Sequence, residues 1–163
     1  MSTATLNAEA PRYGVPPAET LKSMSGLAFL SAIRDGALPQ PPICQALDFA
    51  LVEVEEGRAV FRGRPSEALY NPIGSVHGGW PATLLDSCMA CAVHSGLPQG
   101  VGYTTLEFKI NLVRAITEAS GPVEAEGTVI QSGRRIGVAE GRLRDGAGKL
   151  LASGTTTCLI FPL

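Results

Sequence analysis

Between Glu67 and Glu107 the chain carries a single formal charge, Asp86. It sits in the run Leu84-Leu85-Asp86-Ser87-Cys88-Met89-Ala90-Cys91-Ala92-Val93. An unpaired carboxylate is costly to bury in such surroundings, so acids of this kind are paired, reprotonated or put to use. Upstream lies Asn71-Pro72-Ile73-Gly74-Ser75-Val76-His77-Gly78-Gly79-Trp80-Pro81. Gly78-Gly79 frees the backbone to turn and to approach a ligand closely, and Pro81 fits the first turn of a helix. N–H groups at a helix start lack partners and carry the positive end of its dipole. The stretch therefore offers a base or nucleophile in Asp86 and a donor for developing negative charge in the Gly78 N–H.

Other chemistries fit less well. Cys88-x-x-Cys91-x-x-His94 places three soft ligands on roughly one helical face, but a fourth ligand is missing and the surroundings are apolar. Core thiols are the better description, and no metal is expected. Gly74-Ser75-Val76-His77-Gly78 is not a nucleophile elbow, because the serine follows the first glycine directly. No phosphate-binding loop or dinucleotide fingerprint occurs, and no cofactor is expected.

The 163 residues suit one core-bearing domain, and a net charge of -2 gives no footprint of a nucleic-acid partner. No apolar run reaches the length of a membrane span. Residues 1 to 10 lack the basic and apolar regions of a signal peptide, and the four cysteines form no disulfide framework, so a cytoplasmic, reduced protein is expected.

The elements that must position the chemistry follow from periodicity. Residues 1 to 19 are expected to form a mobile or draping arm. One helix is expected from Glu19-Thr20 to about Asp35-Gly36, with Leu21, Met24, Leu27, Phe29, Leu30 and Ile33 supplying its apolar side. A Pro-rich joint at 39 to 42 reads as a linker, separating an N-terminal part (1–44) from a main domain (45–163). Strands are expected at 46–54 and 58–64 around Glu55-Glu56-Gly57. An apolar helix, buried on most sides, should run from about Trp80 to His94. Four strands follow at 102–113, 122–131, 135–144 and 149–161. In the first, Leu106, Phe108, Ile110 and Leu112 alternate with Thr105, Glu107, Lys109 and Asn111. Small residues at alternate positions, such as Gly127, Gly137 and Gly141, let a sheet curl around the helix. The fold class is α+β, an antiparallel sheet of about six strands wrapped around a long central helix, with an extra N-terminal helix.

This pattern resembles the hotdog-fold acyl-CoA thioesterases of the phenylacetic-acid-degradation type over residues 45 to 161. The similarity rests on Asn71, His77-Gly78-Gly79, Asp86, the strand Tyr103-Thr104-Thr105-Leu106-Glu107-Phe108, and Asn111-Leu112-Val113-Arg114-Ala115, where the family's usual proline is Ala115. It implies hydrolysis of an acyl-CoA thioester, with Asn71 orienting water or carbonyl and Thr104 near the carboxylate. His77 would hold the turn or assist polarisation. Arg134 and Arg135, in a turn that the resemblance places near the nucleotide, suit phosphate. Gly79 and Trp80 would contact substrate, with Met24 and Phe29 as further candidates for an acyl pocket.

Gly78 and Asp86 are eight residues apart, ~12 Å along a helix. For both to act on one carbonyl, a second chain must bring its Asp86 to the first chain's Gly78. A two-fold dimer does this twice, and the resemblance implies the same arrangement, often doubled into a tetramer. Competing expectations are a hydratase or dehydratase of acyl thioesters on the same fold and a non-catalytic acyl-CoA-binding protein.

Overall fold

The computed structural model describes residues 12–163. Most of the arm expected at the N-terminus lies outside these residues. Where the description begins, the chain is held down: Gln40 N–H donates to Arg12 O (2.9 Å) and Gly14 N–H donates to Gln40 O (3.0 Å).

The single N-terminal helix of the sequence reading is two helices, α1 (Ala18–Ser23) and α2 (Gly26–Arg34), broken by extended backbone at Met24 and Ser25. The break has a local cause. Ser25 caps α2 by accepting from Ala28 N–H, a preferred use of serine that competes with continuing the helix. It also lets α2 begin against the main domain, with Gly26 N–H donating to Leu97 O (2.9 Å). A Cβ at Gly26 would collide with the His94 carbonyl, so the close approach needs glycine.

The segment read as a linker is also ordered into the fold. Pro42 sits in the first turn of a short helix, α3 (Pro42–Ala46). Gln40 is buried, and its carboxamide bridges both backbone groups of Leu51 (3.4 and 3.5 Å). Proline fixes φ, which suits a tight corner as well as it suits a linker.

Six antiparallel strands follow the expected order: β1 (Phe49–Glu55), β2 (Arg58–Gly63), then helix α4 (Gly79–Ser95), then β3 (Val101–Leu112), β4 (Val123–Ser132), β5 (Ile136–Asp145) and β6 (Leu150–Pro162). Their order in the sheet is β1-β2-β4-β5-β6-β3, so β1 and β3 are the edges. The sheet wraps α4. Leu84, Leu85, Cys88 and Met89 are fully buried with Val123, Ala125, Ala139 and Leu143 in one core. Burying a Leu or Met side chain contributes ~1.5–3 kcal/mol. The expected small residues allow this closeness. A Cβ at Gly141 would stand 2.8 Å from Met89 Cγ, and one at Gly127 would overlap the Cys88 carbonyl.

Two features of the fold bear on the site, and the second departs from the sequence reading. First, one face of α4 stays uncovered in the chain: Ala82, Thr83, Asp86, Ser87 and Cys91 remain partly exposed, spaced three or four apart. Second, β3 does not alternate uniformly. Thr105 pairs with Cys158 and Glu107 with Thr157, so Leu106 forms a bulge between them. Thr105 thus shares the helix-facing side with Phe108 and Ile110, which pair with Thr156 and Gly154.

Candidate active site

Asp86 projects from the open face of α4 and is half-buried. Thr105 Oγ1 donates to Asp86 Oδ1 at 2.9 Å, a bond that exists because the Leu106 bulge turns Thr105 inward. Burial pushes the Asp86 carboxyl above its ordinary value, and the Thr105 bond opposes that by stabilising the anion. The result is an acid held in orientation through one oxygen and more basic than a surface aspartate.

Thr104, expected near the carboxylate, lines the same cavity of about 490 Å³ and is exposed, and the hydroxyl that bonds the carboxylate is that of Thr105. Ser87, Cys91 and Tyr103 also line this cavity, a role the sequence reading assigns to none of them. Cys91 is no nucleophile at neutral pH, because burial pushes its thiol up to about 12.

The His77-Gly78-Gly79 turn lies at the other end of two helical turns. His77 Nδ1 accepts from Gly79 N–H at 2.9 Å, so the imidazole caps the start of α4. That bond occupies the Gly79 amide. The Gly78 N–H makes no hydrogen bond to any described residue and is the free donor at the helix start. Asn71 is engaged within its own loop: Oδ1 accepts from Ile73 N–H (3.0 Å), and Nδ2 donates to Ser75 Oγ (3.1 Å). This is an Asx-type turn that shapes the entry to the helix. Asn71 and Gly78 line a second cavity, of about 230 Å³, with Pro81, Leu112 and Ile116.

The structure brings together Asn71 with Gly78, and Asp86 with Thr104, in separate cavities. Trp80 joins neither. It is buried, packs where a Cβ on Gly63 would touch its ring, and donates Nε1–H to Leu47 O at 2.7 Å, so its place is the core and not a substrate wall. Phe29 likewise packs on the His94 ring (5.8 Å), which packs on Tyr103 (4.9 Å). Neither Phe29 nor Met24 lines the Asp86 cavity. Arg134 and Arg135 are exposed in the β4–β5 turn and make no ion pair with a described residue. Arg134 borders a slot with Val93 and Leu97 at the far end of α4.

Cys88, Cys91 and His94 do not converge on a point. Cys88 Sγ donates to Leu85 O (3.3 Å), Cys91 Sγ lies 4.0 Å from Tyr103 Oη, and His94 is sandwiched by rings. A larger groove on the outer sheet face, about 540 Å³, is bordered by Arg58, Arg62, Glu124 and Glu126, whose charges neutralise one another in the pairs Arg58–Glu126 and Arg62–Glu124. No described helix is long and apolar enough to cross a membrane.

Residues 73–152 match the thioesterase superfamily model. A protein of Saccharolobus solfataricus named as an esterase is 31% identical over 124 residues, covering 74% of this chain and 84% of that protein. Another of that name, from Halobacterium salinarum, is 39% identical over 67 residues, which span 41% of this chain and 44% of that relative. Among solved structures, a phenylacetic acid degradation-related protein of Ralstonia eutropha, described as a thioesterase, superposes with a TM-score of 0.73 at 26% identity, covering 80% of this chain and 98% of that one. A thioesterase of Haemophilus influenzae shares the fold with a TM-score of 0.70 at 22% identity, over 88% of this chain and 95% of its own. The chain belongs to the thioesterase superfamily. Its fold is the hotdog, and its class is that of the thioester hydrolases.

Proposed function

We propose that the protein is an acyl-CoA thioesterase that works as a homodimer with two shared sites. One observation carries this reading: Gly78 and Asp86 open into different cavities of one chain, each holding half of what thioester hydrolysis needs. The free Gly78 N–H suits a developing oxyanion, and Asp86 suits a general base.

The edge strand β3 supplies the means of pairing. It is 12 residues long, unpaired on its outer side among the described residues, and exposes Leu106 (55%), Phe108 (44%) and Leu112 (57%). A long apolar edge is a template for pairing with another strand. A two-fold β3–β3 junction would set the open faces of two α4 helices against each other, antiparallel, so that each Asp86 approaches the partner's Gly78. The residues on that face are small, which permits close approach.

In the reaction, Asp86 takes a proton from water, and the oxygen attacks the thioester carbonyl carbon. The oxyanion is held by the partner's Gly78 N–H and by the dipole of that α4. Collapse breaks the C–S bond, and the proton on Asp86 passes to the leaving CoA thiolate. His77 keeps the donor turn rigid, and Asn71 shapes it and can offer its second Nδ2 hydrogen to water. Arg134 and Arg135, as exposed cations on a turn, suit the CoA phosphates.

Release of free thiol from a panel of acyl-CoA thioesters tests the reading. Turnover by the native chain and its loss in a folded Asp86→Asn variant support it. Tight acyl-CoA binding without thiol release, or hydration of an enoyl thioester instead, would replace it.

A further inference from the structure

The Asp86 cavity has a wall that comes from outside the segment matching the family model, since Pro41, Ile43 and Cys44 line it and all precede residue 73. That wall is fixed at both ends. Upstream, buried Gln40 bridges the Leu51 backbone, and downstream, Leu47 O accepts the Trp80 indole N–H at 2.7 Å. Cys44 is buried beneath it at 1% exposure, and Cys44 N–H donates to Pro41 O at 2.9 Å. Ile43 is different. It is a large apolar side chain left 48% exposed on α3, and it borders a cavity whose only charged lining residue, among the described residues, is Asp86. Phe61, Ala90 and Tyr103 contribute to the other walls.

Behind Tyr103 the space is already filled. Its ring packs on His94, and His94 packs on Phe29 of α2. An acyl group entering beside Asp86 therefore meets apolar surface and then a stop, with no continuation toward the C-terminal end of α4. Such a cavity suits an uncharged, compact acyl group, because a charged one would lose its hydration without a partner.

We propose that Ile43, held by α3, is a specificity-determining residue that limits the length of acyl group accepted beside Asp86. This rests on the thioesterase reading given above. The limit is steric and local.

The test is kcat/KM across straight-chain acyl-CoA substrates from acetyl to palmitoyl, with phenylacetyl-CoA added, for the native chain, Ile43→Ala, Ile43→Trp and a control, Ile130→Ala. Ile130 is 57% exposed on β4 and lines neither the Asp86 nor the Gly78 cavity. Ile43→Ala should raise the ratio of long to short substrates by about tenfold or more, in keeping with the weight of one or two methylenes in an apolar pocket. Ile43→Trp should lower that ratio, and Ile130→Ala should leave it in place. Because Ile43 is half exposed, both variants should fold, which circular dichroism checks. If the native chain turns over substrates but every Ile43 variant keeps the same profile, or all rates change in parallel, the inference is overturned while the thioesterase reading stands. If the native chain cleaves no member of the panel, both fall.

Discussion

Gly78 caps the start of the helix that carries Asp86, yet the two open into different cavities, one shared with Asn71 and Leu112 and the other with Thr105 and Tyr103. Helical rise alone separates them by ~12 Å. In the proposed dimer each of the two is half of a shared site, and consequences follow for activity, stability and assembly.

The Thr105 bond to Asp86 Oδ1 lowers a carboxyl pKa that burial raises. In Thr105→Val the opposing bond is gone, so the carboxyl should titrate higher. A base must be ionised to act, so the acidic limb of kcat/KM against pH should move to higher pH. An unchanged limb would mean that Asp86 is not the group titrating.

The same burial makes ionised Asp86 a burden on the fold. Its folded pKa is raised, so its favourable contribution is fully present below the unfolded value and is lost as pH rises through the folded value. Asp86→Asn should therefore melt higher than the native chain at pH 7, with the difference shrinking toward pH 3, while thiol release is lost. Thermal denaturation at the two pH values reads this directly.

His94 acts in the opposite sense. Burial between Phe29 and Tyr103 pushes its pKa down to about 4 from 6.5. Its contribution is present above the unfolded value and is lost as pH falls through the folded one, so stability should decline between pH 6.5 and about 4. The loss is on the order of 3 kcal/mol across that window. His94→Phe keeps a ring in the stack and should flatten the urea midpoint over the same range.

Phe108 is exposed on the helix-facing side of the edge strand β3. Placing a charge there with Phe108→Asp should shift the protein to a monomer in light-scattering measurements and reduce kcat at least ~100-fold, since in the proposed arrangement a lone chain holds only half a site. A monomer with native activity would place both halves in one chain.

Much of this was legible in the sequence because it rests on periodicity. The six strands and α4 lie within a few residues of their expected places, since alternation and the small residues facing Cys88 and Met89 are direct imprints of a sheet around a helix. The isolation of Asp86 also showed in the primary structure. What did not show was local geometry. The Leu106 bulge turns Thr105 onto the helix-facing side, where it bonds the acid, and no residue type announces a bulge of that kind. Ser25 and Gly26 break a helix that the apolar pattern alone would continue, because the cap and the contact with His94 come from tertiary packing. Trp80 beside a glycine-rich turn suggests a ligand wall, but its indole N–H finds Leu47 O and its ring finds the core. Proline at 41 and 42 serves a corner as readily as a linker, and here it builds α3.

The sharing of sites between chains is best tested by complementation. Asp86→Asn removes the base, and Gly78→Pro removes the oxyanion N–H at a φ of -58°, which proline can adopt. Each homodimer should be inactive. Co-expressed at equal levels, with both variants shown to be folded, a statistical mixture should recover about a quarter of native kcat, because half the dimers then hold one intact site of two. No recovery in isolated mixed dimers would contradict a site built from one chain's Asp86 and its partner's Gly78.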